Sequence, residues 1–201
     1  MNDKHRTMDD KQTYILAITG ASGAIYAKSL IEYFYQHNLP LTCLISDVGK
    51  KVWEWEIGVP IEKALPASIT LHCEDDWWAP VASGSVKAKA MIVMPCSMGT
   101  LAAIAQGLAR NLIQRTADVM LKEKRPLILV PRETPLNIIH LENMLRLAKA
   151  GATISPAMPG FYHKPETVQD LVNFVVARVL DHLGLEHKLI KSWEEVVRKD
   201  V

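Results

Sequence analysis

Five apolar runs punctuate the chain: YILAIT at 14–19, LTCLIS at 41–46, AMIVMPC at 90–96, PLILVP at 126–131 and ATISPA at 152–157. Each is nearly continuous rather than alternating, the pattern of strands covered on both faces. Between them, apolar positions recur with a helical period over 24–37, 48–56, 101–107, 111–124, 137–150 and 167–183. This alternation predicts an α/β fold in a single domain, a three-layer doubly wound parallel sheet of the Rossmann-like or flavodoxin-like kind with five strands. Pro126 opens the fourth run and Gly151 closes the helix before the fifth. Residues 58–89, rich in Pro, Gly and Trp, carry no predicted element, and SWEEVVRK reads as a short last helix after a break at Gly184. The chain thus divides into a polar, flexible leader (1–12), the α/β domain (13–185) and a tail (186–201).

Composition narrows the function classes. A formal net charge of +1 gives no reason to expect nucleic acid as a partner. No apolar run approaches the roughly 18 residues of a membrane span. The three cysteines, Cys43, Cys73 and Cys96, are far apart and lack metal-ligand spacing, which fits a reducing, cytoplasmic setting with no metal.

A doubly wound sheet holds its ligand beyond the carboxyl ends of its strands, so the ends of the five runs are the candidate site. The first is Gly20-Ala21-Ser22-Gly23, a glycine turn before a helix, where free amides and the helix dipole suit a phosphate. Its spacing is not G-x-G-x-x-G, and none of the five tyrosines has a lysine four residues on. Both facts disfavour an NAD-dependent dehydrogenase. The second end offers Ser46 as a helix cap or ligand contact, followed by Asp47. The third, Ser97-Met98-Gly99-Thr100, is another hydroxyl-rich start to a helix, and Cys96 before it reads as a small buried hydrophobe. The fourth places Arg132 and Glu133 at the sheet's ligand edge, as an anion contact and a proton-transfer group, or as a simple rim ion pair. Arg115 and Lys122, seven apart on one helix face with Asp118 between, form either a solvated salt-bridged stripe or a cationic clamp. The fifth end leads to the proline-rich loop PAMPGFYHKPE, which presents Tyr162, and then to Arg178 in an apolar helix.

Taken together, these segments resemble the flavin prenyltransferases of the UbiX type, relatives of flavin-dependent cysteine decarboxylases. The likeness runs from about 14 to 195 through ITGASGAIYAKSL, ASGS at 82–85, PCSMGTLAAIAQG, NLIQRTADVMLKEKRPLILVPRETP and GATISPAMPGFYHKPE to Trp193. It implies transfer of a dimethylallyl group from dimethylallyl monophosphate to N5 and C6 of reduced FMN, without a metal. The product, prenylated FMN, would be handed to a UbiD-type decarboxylase. It implies a flavin site of Gly20, Ala21, Ser22, Ser46, Ser97, Met98, Gly99, Thr100 and Arg132. A donor site follows from Ser83, Gly84, Ser85, Arg115, Lys122, Glu133, Tyr162 and Arg178. The catalytic roles fall to Ser22, Glu56 and Glu133 as proton carriers and to Trp193, with Trp77, as aromatics near the allyl group. Some of these residues would arrive from neighbouring copies in a dodecamer, and the tail would close the site. Where the family has a small lysine-containing stretch after Ser46, this chain has SDVGKKVWEWE, which puts the Asp47 charge near the expected flavin edge and adds the bulky Trp53 and Trp55, a change that bears on flavin affinity or on a subunit contact.

Two rivals remain on the same fold. A cysteine decarboxylase would want an early histidine and a PASANT-like turn, whereas this chain has no histidine between 14 and 36 and has PCSMGT. An FMN-binding accessory subunit of a hydroxyarylic acid decarboxylase would carry the same motifs.

Overall fold

The computed structural model describes residues 12–197; the leader lies outside these except for its last residue. Its parallel sheet has six strands: β1 (Tyr14–Ile18), β2 (Leu41–Ile45), β3 (Thr70–Cys73), β4 (Ala90–Cys96), β5 (Leu127–Pro131) and β6 (Thr153–Ile154). They stand in the order β3-β2-β1-β4-β5-β6. The strand β3, inside the segment expected to be irregular, corrects the expected count of five. It is a short edge strand with no fully buried residue, so its hydrophobic signal is weak. β6 is likewise only two residues of the run at 152–157.

The helices are α1 (Ala24–Gln36), α2 (Asp47–Ile57), α3 (Ile61–Ala64), α4 (Met98–Ala105), α5 (Leu112–Lys122), α6 (Ile138–Lys149), α7 (Val168–His182) and α8 (Trp193–Val197). Their buried positions explain their existence. Ala24, Ala27, Leu30, Ile31 and Phe34 on α1, and Val172, Val175, Val176, Val179 and Leu180 on α7, form helical stripes against the sheet. α4 begins at Met98, not at Leu101, so Met98, Gly99 and Thr100 are its first turn.

Side-chain parity along the strands sorts the helices into layers. Tyr14, Leu16 and Ile18 pack with α1, α2, α3 and α7 residues in one core. Ile15 and Ala17 pack with those of α4, α5 and α6 in the other. Trp53 is 1% exposed in the first core, whereas Trp55 is 89% exposed on the surface. Trp53 is therefore a core residue, while Trp55 stays open on the surface. The sheet order reverses between β1 and β4, which makes the crevice beyond their carboxyl ends the natural ligand position.

Candidate functional site

The ends of β1 and β4 are tied together by Thr19, a buried residue. Its hydroxyl donates to the Pro95 carbonyl at 2.9 Å and accepts from the Ser97 amide at 2.8 Å. This bond pair fixes the spacing of the two loops that flank the crevice. Sequence reading quoted Thr19 but gave it no role, because its partners lie more than seventy residues away.

The glycine turn holds a carboxylate of the chain itself. Glu56 Oε2, from the end of α2, accepts from the Gly23 amide at 2.9 Å and the Ala24 amide at 2.8 Å. It thereby caps α1, whose own cap residue has no side chain. Gly23 has φ 116, a left-handed conformation natural to glycine, and a Cβ there would come within 2.9 Å of the Tyr26 ring. Burial pushes the Glu56 carboxyl up. The Ser22 hydroxyl bond, the two amides and the Arg132 charge outweigh it and hold the group below its usual value. Glu56 is therefore a carboxylate near neutrality, and an incoming phosphate would meet it at the α1 terminus.

Anion-binding capacity lies instead at the start of α4. Ser97 caps α4 by accepting from the Thr100 amide at 3.3 Å and donates to the Thr100 hydroxyl at 3.0 Å. The Met98 and Gly99 amides have no protein acceptor among the described residues. A Cβ on Gly99 would meet nothing within 4 Å, so open space fronts this turn. The Met98 side chain is buried in the second core, which leaves only its backbone to face a ligand. At α2, Ser46 Oγ accepts from the Gly49 amide at 3.0 Å. The Asp47 amide donates to Glu74 Oε1 at 2.8 Å. Arg132 Nε donates to the Ser22 carbonyl at 3.0 Å, which leaves the guanidinium's terminal nitrogens without a protein partner among the described residues. The donors left over, two helix-start amides and a half-buried guanidinium beside an open crevice, fit the oxygens of a flavin mononucleotide. Glu133 is exposed and accepts from the Thr134 amide at 3.0 Å, so Arg132 and Glu133 are not the simple rim pair that the sequence allowed.

The remaining candidates divide into two groups. On α5, Arg115 donates from Nε to the Ala82 carbonyl at 3.1 Å and pairs with Asp118 at 2.9 Å. Lys122 pairs with Glu123. A Cβ on Gly84 would fall 2.5 Å from Glu123 Oε1 and 3.0 Å from Lys122 Nζ. Glycine thus lets the Ser83–Ser85 loop, whose two hydroxyls bond at 2.9 Å, lie against this helix end. Arg125 fastens the same loop by donating to the Gly84 carbonyl at 2.8 Å. On the other layer, Tyr162, Arg178 and Trp193 line one groove of about 1150 Å³ beside α1 and α7. The Tyr162 and Trp193 rings meet edge to face, centroids 5.2 Å apart. Trp77, also matched to the allyl aromatics, is half exposed and makes no ring contact with Trp193 among the described residues.

Thus the expected donor clamp is not one cluster within a chain. Arg115 and Lys122 stand on a helix of one layer and Arg178 on a helix of the other. Cys96 is fully buried, with its thiol pushed up to about 12 by burial, as expected of a core residue. No helix among the described residues is long and apolar enough to cross a membrane.

Comparison with known proteins places this geometry. The family model described as Flavoprotein matches residues 2–180. The flavin prenyltransferase UbiX of Halalkalibacterium halodurans is 49% identical over 195 residues, covering 92% of this chain and 95% of that protein. A crystal structure of AnUbiX (PadA1) in complex with FMN and dimethylallyl pyrophosphate superposes with a TM-score of 0.86 at 40% identity, covering 91% of this chain and 97% of that one. A dodecameric FMN-dependent UbiX-like decarboxylase from Escherichia coli O157:H7 gives 0.87 at 44%, covering 90% and 99%.

Proposed function

The chain belongs to the flavin prenyltransferase family, and we propose that it moves a dimethylallyl group from dimethylallyl monophosphate to N5 and C6 of reduced FMN. The observation that carries this reading is the near-full-length match to flavin prenyltransferases, which takes in every strand end of the crevice. When bound, reduced FMN supplies the nucleophilic atoms. The protein supplies position, charge and proton transfer.

Flavin binding is assigned to Gly20, Ala21, Ser22, Ser46, Ser97 to Thr100 and Arg132. The FMN phosphate is given to the α4 start, since Glu56 occupies the α1 start and Glu74 takes the Asp47 amide at the α2 start. Ser22, whose hydroxyl helps hold the Glu56 carboxyl down, is assigned to take a proton from the flavin while passing its own to Glu56. Glu133 is the second proton carrier, at the leaving phosphate.

Arg115, Lys122, Tyr162 and Arg178, with the Ser83–Ser85 loop, are assigned to that phosphate. Fixed cationic donors stabilise the charge that develops on the departing oxygen. Trp193, helped by Trp77, offers an aromatic face to the allyl group as it becomes cationic. Their division between two layers supports a site completed by neighbouring copies in a dodecamer. The tail after residue 185 carries Trp193 over the groove. Delivery of the product to a UbiD-type decarboxylase completes the reading.

The test is anaerobic: combine the protein with reduced FMN and dimethylallyl monophosphate, then weigh the flavin. An increase of one prenyl group is expected. Unchanged flavin, in folded FMN-bound protein, overturns the reading.

A further inference from the structure

Asp181 joins two parts of the groove that the proposed reaction uses separately. Its Oδ2 accepts from Arg178 Nη1 at 2.6 Å, one helical turn back on α7. Its Oδ1 accepts from His187 Nε2 at 2.9 Å. Because a carboxylate oxygen only accepts, Nε2 carries the proton, and Nδ1, buried, has no partner. The His187 side chain is 9% exposed while Arg178 is 51% exposed. One oxygen is thus committed to the covered tail and the other to a cation open to solvent.

The tail at this point is well anchored. The Tyr33 hydroxyl donates to the Glu186 carbonyl at 2.7 Å, and Leu185 and Leu189 pack on the first core. From there the chain runs to Trp193 against Tyr162. His187 bonds the tail to α7, at the carboxylate that holds Arg178.

We propose that Asp181 is a positioning residue that sets donor affinity by competing with the donor phosphate for Arg178. This rests on the assignment of Arg178 to the donor. A phosphate dianion must displace or share the Asp181 carboxylate at the guanidinium, and it meets that negative charge at short range. His187 moderates the competition, because its N–H draws on the same carboxylate and leaves less of it to Arg178. The two residues therefore act in opposite directions on phosphate binding.

Two readouts separate this from the functional reading. Asp181→Asn should lower the KM for dimethylallyl monophosphate about fivefold with little change in kcat. It should also lower the Kd of inorganic phosphate on FMN-loaded protein, by calorimetry, by the same factor. The Kd for FMN should not move. His187→Ala should raise both phosphate constants about two- to threefold, and His187→Gln, whose amide can donate to Asp181, should restore them. Simple loss of packing would instead weaken phosphate binding in both Asp181→Asn and His187→Ala. Phosphate affinity that is unchanged or weaker in folded Asp181→Asn overturns the proposal. The phosphate measurement needs no turnover, so it judges Asp181 even if no prenylated flavin forms.

Discussion

The flavin edge and the donor cations differ in how far a single chain finishes them. At the flavin edge, polar groups are bonded to one another across elements. Thr19 bridges β1 and β4, Glu56 caps α1 from α2, and Arg132 reaches back to the Ser22 carbonyl. Each bond crosses at least thirty-two residues of sequence, and together they hold a fixed crevice. The donor cations rest on carboxylates of their own helix or its end: Arg115 on Asp118, Lys122 on Glu123, Arg178 on Asp181. These are exposed or half-exposed local pairs of small energetic weight, easily exchanged for a phosphate. One region is preorganised by folding, whereas the cations of the other stand apart on two layers, paired only locally.

The largest expected effect strikes the donor side. Arg115→Ala or Lys122→Ala should cut turnover about 10²- to 10³-fold, as removal of one donor that stabilises charge in the transition state does. FMN titration by fluorescence should give an unchanged Kd. Equal loss of FMN affinity would show that these cations belong to the flavin edge. Mixing sharpens the point. Arg115→Ala and Arg178→Ala chains, each inactive alone, should regain activity when reassembled together, because some sites then draw both cations from intact copies. No recovery in mixed oligomers of confirmed composition would mean that one chain supplies the whole clamp.

That division was only half legible in the sequence. The strand ends were readable because continuous apolar runs stop abruptly at Thr19, Ser46, Cys96 and Pro131. The layer of each helix is a matter of topology. Right-handed crossovers put α1 and α2 on one face as the sheet grows from β1 to β2 and β3, and α4 to α6 on the other as it grows from β4 to β6. α7 has no strand after it, so handedness leaves its face open. Packing on α1 decides it, and with it the separation of Arg178 from Arg115. The place of Trp53 was hidden for a related reason: two tryptophans two residues apart look alike in sequence until helical phase turns one into the core and the other to the surface. Asp181 and Glu74 carried no motif at all, since their roles depend on through-space partners, His187 and the Asp47 amide.

A smaller effect tests whether the flavin edge is as finished as the comparison holds. Thr19→Val keeps shape and volume but strips the acceptor from the Ser97 amide and one of two donors from the Pro95 carbonyl, which keeps the Thr19 amide at 3.2 Å. Leaving a part-buried amide unpaired costs about 1–3 kcal/mol. The urea midpoint should fall accordingly, and FMN affinity with it, because the β1 and β4 loops lose their spacer. A loss of stability with no loss of FMN affinity would separate the spacer from the site.

The finest test concerns Glu56. Its carboxyl is held below its ordinary value in the folded chain, where the Ser22, Gly23, Ala24 and Arg132 contributions outweigh burial. A group depressed in this way contributes stability that is fully present above its unfolded value, near 4.5, and is lost as pH falls through the folded one. The wild-type chain should therefore lose its margin over Glu56→Gln as pH drops from about 6 to about 3, read as the difference between their urea midpoints. Exposure to solvent keeps that margin under about 1 kcal/mol. A difference that stays constant with pH would show that the carboxylate's charge is not what caps α1. The turn at Gly20–Gly23 would then be as open to an incoming phosphate as the start of α4, and the flavin edge would be no more complete in one chain than the donor side.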